Sequence, residues 1–214
     1  MSYFMPEGSK IFMSTGLEAA KTISAVTNAS TAVASSTAHG YSNGAELLFN
    51  SGWEDASDTI WRADNVNSNA FDIKGLDSSD TNWFPAGTGT GTAQKVSGWL
   101  ELTQWLDIQT QGGDAKNVTV EPISRRNAIN MPAGFNPTQI QLTFGHDIGS
   151  ASQQALMAAS RGLQKRAFKA VIAGGMTGYF YGNVSFSEMP QIQRGQVLKV
   201  SASVNVLGRF ISYQ

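Results

Sequence analysis

Few residues in this chain could carry out covalent chemistry, and none is accompanied by the partners it would need. His146 adjoins Asp147, and His39 sits among Ser35, Ser36 and Ser42, so a hydrolase using His146 and Asp147 is one reading; a Ser-His-Asp triad, however, needs three convergent groups. The plainer expectation is that His39 shapes a turn and His146 ends a strand. Glu54, Asp55 and Asp58 are three acids in a polar stretch, expected to be solvated, and no metal is assigned to them. The Gly-Thr run at 87–92 places a glycine at every second position, with no helix and no phosphate-binding lysine after it, so it is not a dinucleotide fingerprint. No Gly-x-Ser-x-Gly elbow, His-Glu-x-x-His helix or calcium loop occurs. Cysteine is absent, which excludes disulfides, iron–sulfur ligation and thiol nucleophiles. Trp53, Trp61, Trp83, Trp99 and Trp105 could form a sugar platform, making a carbohydrate- or receptor-binding β module the alternative to a structural role; burial is the commoner fate of such rings. The residues therefore point away from an enzyme, with no catalytic residue, cofactor or metal site assigned.

The elements that would position these residues are mostly strands. Alternation of apolar and polar residues predicts strands at 10–15, 22–27, 31–36, 45–50, 60–63 and 70–73. Asn43-Gly44 marks a tight turn, and the short spacing over 22–77 suggests a small β-barrel module. Residues 78–95, rich in Ser, Asp, Thr and Gly with Trp83 and Phe84 as the large apolar groups, are expected to be a flexible assembly loop whose removal leaves a folded subunit. The proline-punctuated stretch 124–137, which carries Arg125 and Arg126, is likewise expected to be a loop. Trp99–Ile108 is ambiguous between strand and helix and is read as strand, as is 117–121. One helix is predicted near 150–162, with Ser150 and Gln153 forming a capping box, an apolar stripe of Ala155, Leu156, Ala159 and Leu163, and Gly162 at its end. Strands at 138–144, 166–173, 179–187 and 196–207 complete the chain, whose fold class is therefore all-β with one flanking helix.

The 214 residues are 41% hydrophobic and only 14% charged, against about 25% charged in ordinary globular proteins. The net charge of −1 hides a segregation: residues 1–121 hold fourteen acids and six bases, residues 122–214 two acids and nine bases. Copies of so dipolar a chain can attract one another head to tail. No apolar run reaches the roughly 20 residues that span a bilayer, and the start lacks a signal-peptide pattern, so a soluble chain without a membrane segment is expected. Across 138–144, 179–187 and 196–207 the one charged residue is Lys199 and proline is absent, whereas monomers guard free strand edges with such residues. These strands look built to pair, within one sheet or between copies. In the last of them Lys199, Ser201, Ser203 and Asn205 share a face of nearly neutral polar groups, which suits a conduit past which nucleic acid slides, since binding it requires clustered cations.

At this point the whole chain resembles the tail tube proteins, or major tail proteins, of long-tailed, non-contractile bacteriophages. The resemblance rests on Pro6-Glu7-Gly8-Ser9-Lys10 leading into Ile11–Thr15, the long central loop, and the late order of strand, helix and three strands through Tyr179-Phe180-Tyr181-Gly182-Asn183-Val184. Ala38–Gly44, with Phe71-Asp72-Ile73 downstream, is similar to a small β-barrel module recurring in phage structural proteins. The resemblance implies a β-sandwich flanked by a helix, with 1–21 and 96–214 as tube core. It also implies hexameric rings stacked into a tube in the virion's tail, assembled in the host cytoplasm. Other tail proteins would meet the tube at its ends, and double-stranded DNA would pass through without sequence-specific binding. Trp83, Phe84, Arg125 and Arg126 are then the expected contacts between subunits or rings, and Lys199, Ser201, Ser203 and Asn205 the expected channel lining. The carbohydrate- or receptor-binding alternative would likewise be a module of a phage tail.

Overall fold

The computed structural model describes residues 7–214, so residues 1–6 of the expected amino-terminal segment, Pro6 included, lie outside the described residues. In chain order the elements are β1 (Lys10–Leu17), β2 (Lys21–Ile23), β3 (Ala25–Val26), β4 (Val33–Ser35), β5 (Glu46–Ser51), a 3-10 turn (Glu54–Ala56), β6 (Thr59–Asp64), β7 (Ala70–Ile73), β8 (Gly91–Glu101), β9 (Trp105–Gln111), β10 (Ala115–Val120), β11 (Ile129–Phe135), β12 (Gln139–Gly145), α1 (Ala151–Arg161), β13 (Lys165–Val171), β14 (Thr177–Phe186), β15 (Lys199–Val206) and β16 (Ile211–Tyr213). The protein is mostly β with one α-helix, as the alternation in the sequence predicts. Fourteen strands join in one antiparallel sheet along the path β3-β4-β7-β6-β5-β8-β1-β13-β14-β15-β12-β9, with β16 added to β14 and β2 to β8; β10 and β11 pair separately.

Strand alternation sorts apolar side chains into three cores. On one side of the carboxyl-terminal strands Phe180, Val184, Val200, Ala202, Val204, Leu142 and Phe144 are buried beneath Leu156 and Ala159 of α1. On the other side Tyr179 and Tyr181 pack with Leu48, Ile60, Val96 and Tyr213. The third core lies within 22–77, where Leu47, Phe49, Trp53, Trp61 and Phe71 gather and accept Phe84 and Ala93 from beyond that stretch.

Several details differ from the sequence expectations. The loop expected at 78–95 ends at residue 90, because Gly91–Lys95 are the first part of β8 and pair with β5 from Ser51↔Gly91 to Leu47↔Lys95. Glycine there serves close packing: a Cβ on Gly91 would lie 2.0 Å from the Asn50 carbonyl oxygen. Deleting 78–95 would remove the first part of a central strand as well as the loop. The stretch 124–137 is not all loop, since Ile129–Phe135 form β11. Pro132 is tolerated there because a two-stranded ribbon has outward edges needing no amide donor.

The helix begins after Ser150 as expected, but without a side-chain capping bond. Ser150 Oγ instead lies 2.8 Å from Ser152 Oγ, while Gln153 donates to the Gly145 carbonyl at 2.6 Å and accepts from the Asp147 amide at 3.1 Å, tying the helix to the end of β12. Leu163 lies beyond Gly162 with φ of 48° and points to solvent, not into the apolar stripe. The last long strand starts at Lys199, leaving 196–198 outside it.

Candidate functional site

The residues that suggested catalysis are dispersed or already partnered. His39 is buried; its Nδ1 accepts the Tyr41 amide at 2.9 Å, and its ring stacks on Tyr41 at 4.8 Å, so it shapes the turn into β5. His146 follows the end of β12, and the Asp147 carboxylate accepts from Gln104 at 3.1 Å and from the Gly149 amide at 2.9 Å. Asp55 pairs with Arg209 at 2.7 Å. Among the described residues no group of three or more His, Asp or Glu is placed to hold a metal. Trp53 and Trp61 are enclosed in the 22–77 core, which removes them from any sugar platform.

What the fold leaves unsatisfied is a strand edge. The strands at 138–144, 179–187 and 196–207, unguarded in sequence, turn out to be β12, β14 and β15, and each is flanked within the subunit. Their bareness is that of interior strands. Among the described residues the sheet path ends at two strands, the two-residue β3 and the seven-residue β9; the long free edge is that of β9, whose inner side pairs with β12 from Gln111↔Gln139 to Asp107↔Thr143. It carries one charge, Asp107, and no proline, so it lacks the usual guards. Leu106 and Ile108 are exposed along it.

Beyond this edge the β9–β12 hairpin continues as an arm. Gly112 and Gly113 (φ 78° and 79°) redirect the chain; a Cβ on Gly112 would lie 2.0 Å from the Pro137 carbonyl oxygen, so only glycine fits the root of the arm. β10 and β11 then pair with Val118↔Met131 and Val120↔Ile129 on one face, and Thr119↔Asn130 and Asn117↔Pro132 on the other. All of β10, and all of β11 except Ile129, is exposed. Val118, Val120 and Met131 thus form an apolar stripe in water, and Phe135, opposite Ala115 beyond a register shift, is exposed as well, on a two-stranded ribbon of a kind that is marginally stable alone. Arg125 and Arg126 are exposed at its tip, beside fully exposed Ile123.

The other expected contacts fall elsewhere. Trp83 is 69% exposed, whereas its neighbour Phe84 is buried edge-on against Trp53 with centroids 5.2 Å apart, so only the former offers its ring outward. Lys199, Ser201, Ser203 and Asn205 lie on the face of β15 opposite α1, in register with Gly145, Thr143, Gln141 and Gln139 of β12. Asn183 and Ser185 extend this neutral face onto β14.

Sequence reasoning missed one polar cluster between 22–77 and the rest of the sheet. Tyr179 receives hydrogen bonds from Arg62 at 3.0 and 2.5 Å and donates to Glu46 at 2.5 Å, while Lys169 reaches the same carboxylate at 3.3 Å and the Trp99 indole N–H donates to it. Arg62 also lies over the rings of Tyr179 and Tyr213, at 5.2 and 4.9 Å. Burial, and then the Glu46 carboxylate, push the Tyr179 phenol well above its ordinary value, so it stays a neutral donor. The available signal was a charge inside each of three apolar runs: Glu46 before Leu47-Leu48-Phe49, Arg62 after Ile60-Trp61, and Lys169 after Ala167-Phe168.

The family model described as phage tail tube protein, TTP, matches residues 51–214. No curated protein matches the chain. Among solved structures, the SPP1 tail tube, determined by combined solid-state NMR and cryo-electron microscopy, is similar with a TM-score of 0.41 at 12% identity, over 54% of this chain and 68% of that one.

Proposed function

Because the chain belongs to the phage tail tube protein family, we propose that its copies join through the free β9 edge into closed, hexameric rings, and that the rings stack through the β10–β11 arm. The protein is a structural, non-enzymatic component of the tail tube and hence of the virion's tail. Residues 96–214 and the amino-terminal segment 1–21 are read as the tube core, and 22–77 as a module carried on it. The face bearing Lys199, Ser201, Ser203 and Asn205 lines the channel, where nearly neutral polar groups let double-stranded DNA pass on its way into the host without holding it. Other tail proteins would cap the tube at its ends.

The observation that carries this reading is an unguarded edge strand continuing directly into an exposed apolar arm. Amides and carbonyls on such an edge gain partners when another strand joins, and repetition around a closed ring leaves no edge over. The test places on β9 the charges that monomeric proteins use: Leu106→Lys combined with Ile108→Lys. Both side chains are exposed in the subunit, so the variant should keep its circular dichroism and thermal unfolding while losing tube formation in sedimentation and electron microscopy. Tubes of normal yield from this variant would refute edge joining.

A further inference from the structure

Resting on the tube reading above, we propose that the tip of the arm, residues 122–127, seats on the Trp83 turn of another copy, so that the two meet at each contact between rings. Trp83 does not sit in a loose loop. Asn28 donates to the Ser78 and Phe84 carbonyls at 3.0 and 2.8 Å, the buried Ser78 hydroxyl donates to the Thr27 carbonyl at 2.7 Å, and Phe84 and Trp53 interlock beneath. The Trp53 indole N–H closes the base by donating to the Pro85 carbonyl at 2.9 Å. An indole held outward on so fixed a base, 69% exposed within its own subunit, offers a large, rigid contact surface to another.

The chemistry around the ring selects the occupant. Asp77 and Asp80 precede it in sequence and are exposed, and the Ser79 hydroxyl and amide hold the Asp77 carboxyl below its usual range, keeping it anionic. Residues 22–77 behind it hold seven acids and two bases. Its complement in this chain is the arm tip, where Ile123 is fully exposed and Arg125 and Arg126 are adjacent cations on the basic half of the sequence. Guanidinium groups stack on indole faces and pair with carboxylates at the same time. About ten residues of ribbon, at roughly 3.3 Å each, carry the tip some 30 Å from its glycine root, far enough to leave its own subunit.

The absence of cysteine makes the test clean. In the full chain carrying both Asn82→Cys and Ser124→Cys, oxidation of assembled tubes should give a ladder of covalent multimers, while each single replacement gives none beyond a dimer. In parallel, Arg125→Glu with Arg126→Glu should lower tube yield roughly tenfold or more, equivalent to about 1.4 kcal/mol, and adding Asp77→Arg with Asp80→Arg should restore it. Tubes that form normally but yield no ladder, and whose yield ignores the arginine reversal, would overturn the docking while leaving the conduit intact. Failure of the unaltered chain to form tubes at all would overturn both.

Discussion

Tyr179 shows what a single residue does here. Its hydroxyl bonds both the Arg62 and the Glu46 side chains, which come from β6 and β5 of 22–77 while the tyrosine comes from the core sheet. Tyr179→Phe leaves a guanidinium and a carboxylate that are both partly buried without their shared partner, which costs about 1–3 kcal/mol. Calorimetry should show this as a fall in Tm of roughly 2–10 °C for a chain of this size; no change would mean that the cluster does not fix 22–77 to the sheet. The exposed Lys10–Glu101 pair at 3.3 Å should by contrast be dispensable. Burial also raises the phenols of Tyr181 and Tyr213, and pushes Tyr41 up to about 12. Below pH about 10 the folded and unfolded chains both keep these protons. As pH rises above that, the unfolded chain releases them first, so stability is whole below it and falls between there and the raised folded values. Tyrosinate absorbance should therefore rise together with loss of the β circular dichroism signal; ionisation at pH about 10 in an intact fold would contradict this. Charges beside apolar runs are present in the sequence, but their meeting is not, because Glu46 and Arg62 of β5 and β6 reach Lys169 and Tyr179 of β13 and β14 only when two distant strand pairs are packed.

Among the elements, legibility followed alternation. The strands β12 and β15 were visible because one face is buried under a core and the other is not, which writes period two into the sequence. The helix was visible for the same reason at a longer period, although Gln153 anchors it to β12 and does not cap it. The first part of β8 was hidden by the Gly-Thr run that leads into it, where Gly91 satisfies close backbone approach and not a burial pattern. Half of the arm, β10, was legible at 117–121, whereas β11 was hidden by Pro132 and by having no buried face within the subunit. The root of the arm supplies the prediction at this scale: Gly112→Ala puts a Cβ into the Pro137 carbonyl and holds φ near +78°, at a cost of about 1–3 kcal/mol. Subunits should stay folded with a redirected arm and give few tubes by electron microscopy; full tube yield would show that arm direction is unimportant.

Across the whole molecule, the sheet path could not be read from sequence, since β1 is held between β8 and β13, more than 70 residues away on either count. Lack of guarding residues in 138–144, 179–187 and 196–207 signalled that those edges are paired, but not with what; the structure pairs them inside the subunit and leaves β9 open. In the proposed assembly, joining copies at β9 completes a sheet that one chain leaves open. The most direct measurement is amide hydrogen exchange of Trp105–Gln111 in the isolated subunit and in assembled tubes. Outward-facing amides of β9 should exchange fast in the subunit and become strongly protected on assembly, whereas equally fast exchange in both states would show that this edge takes no strand from a neighbour.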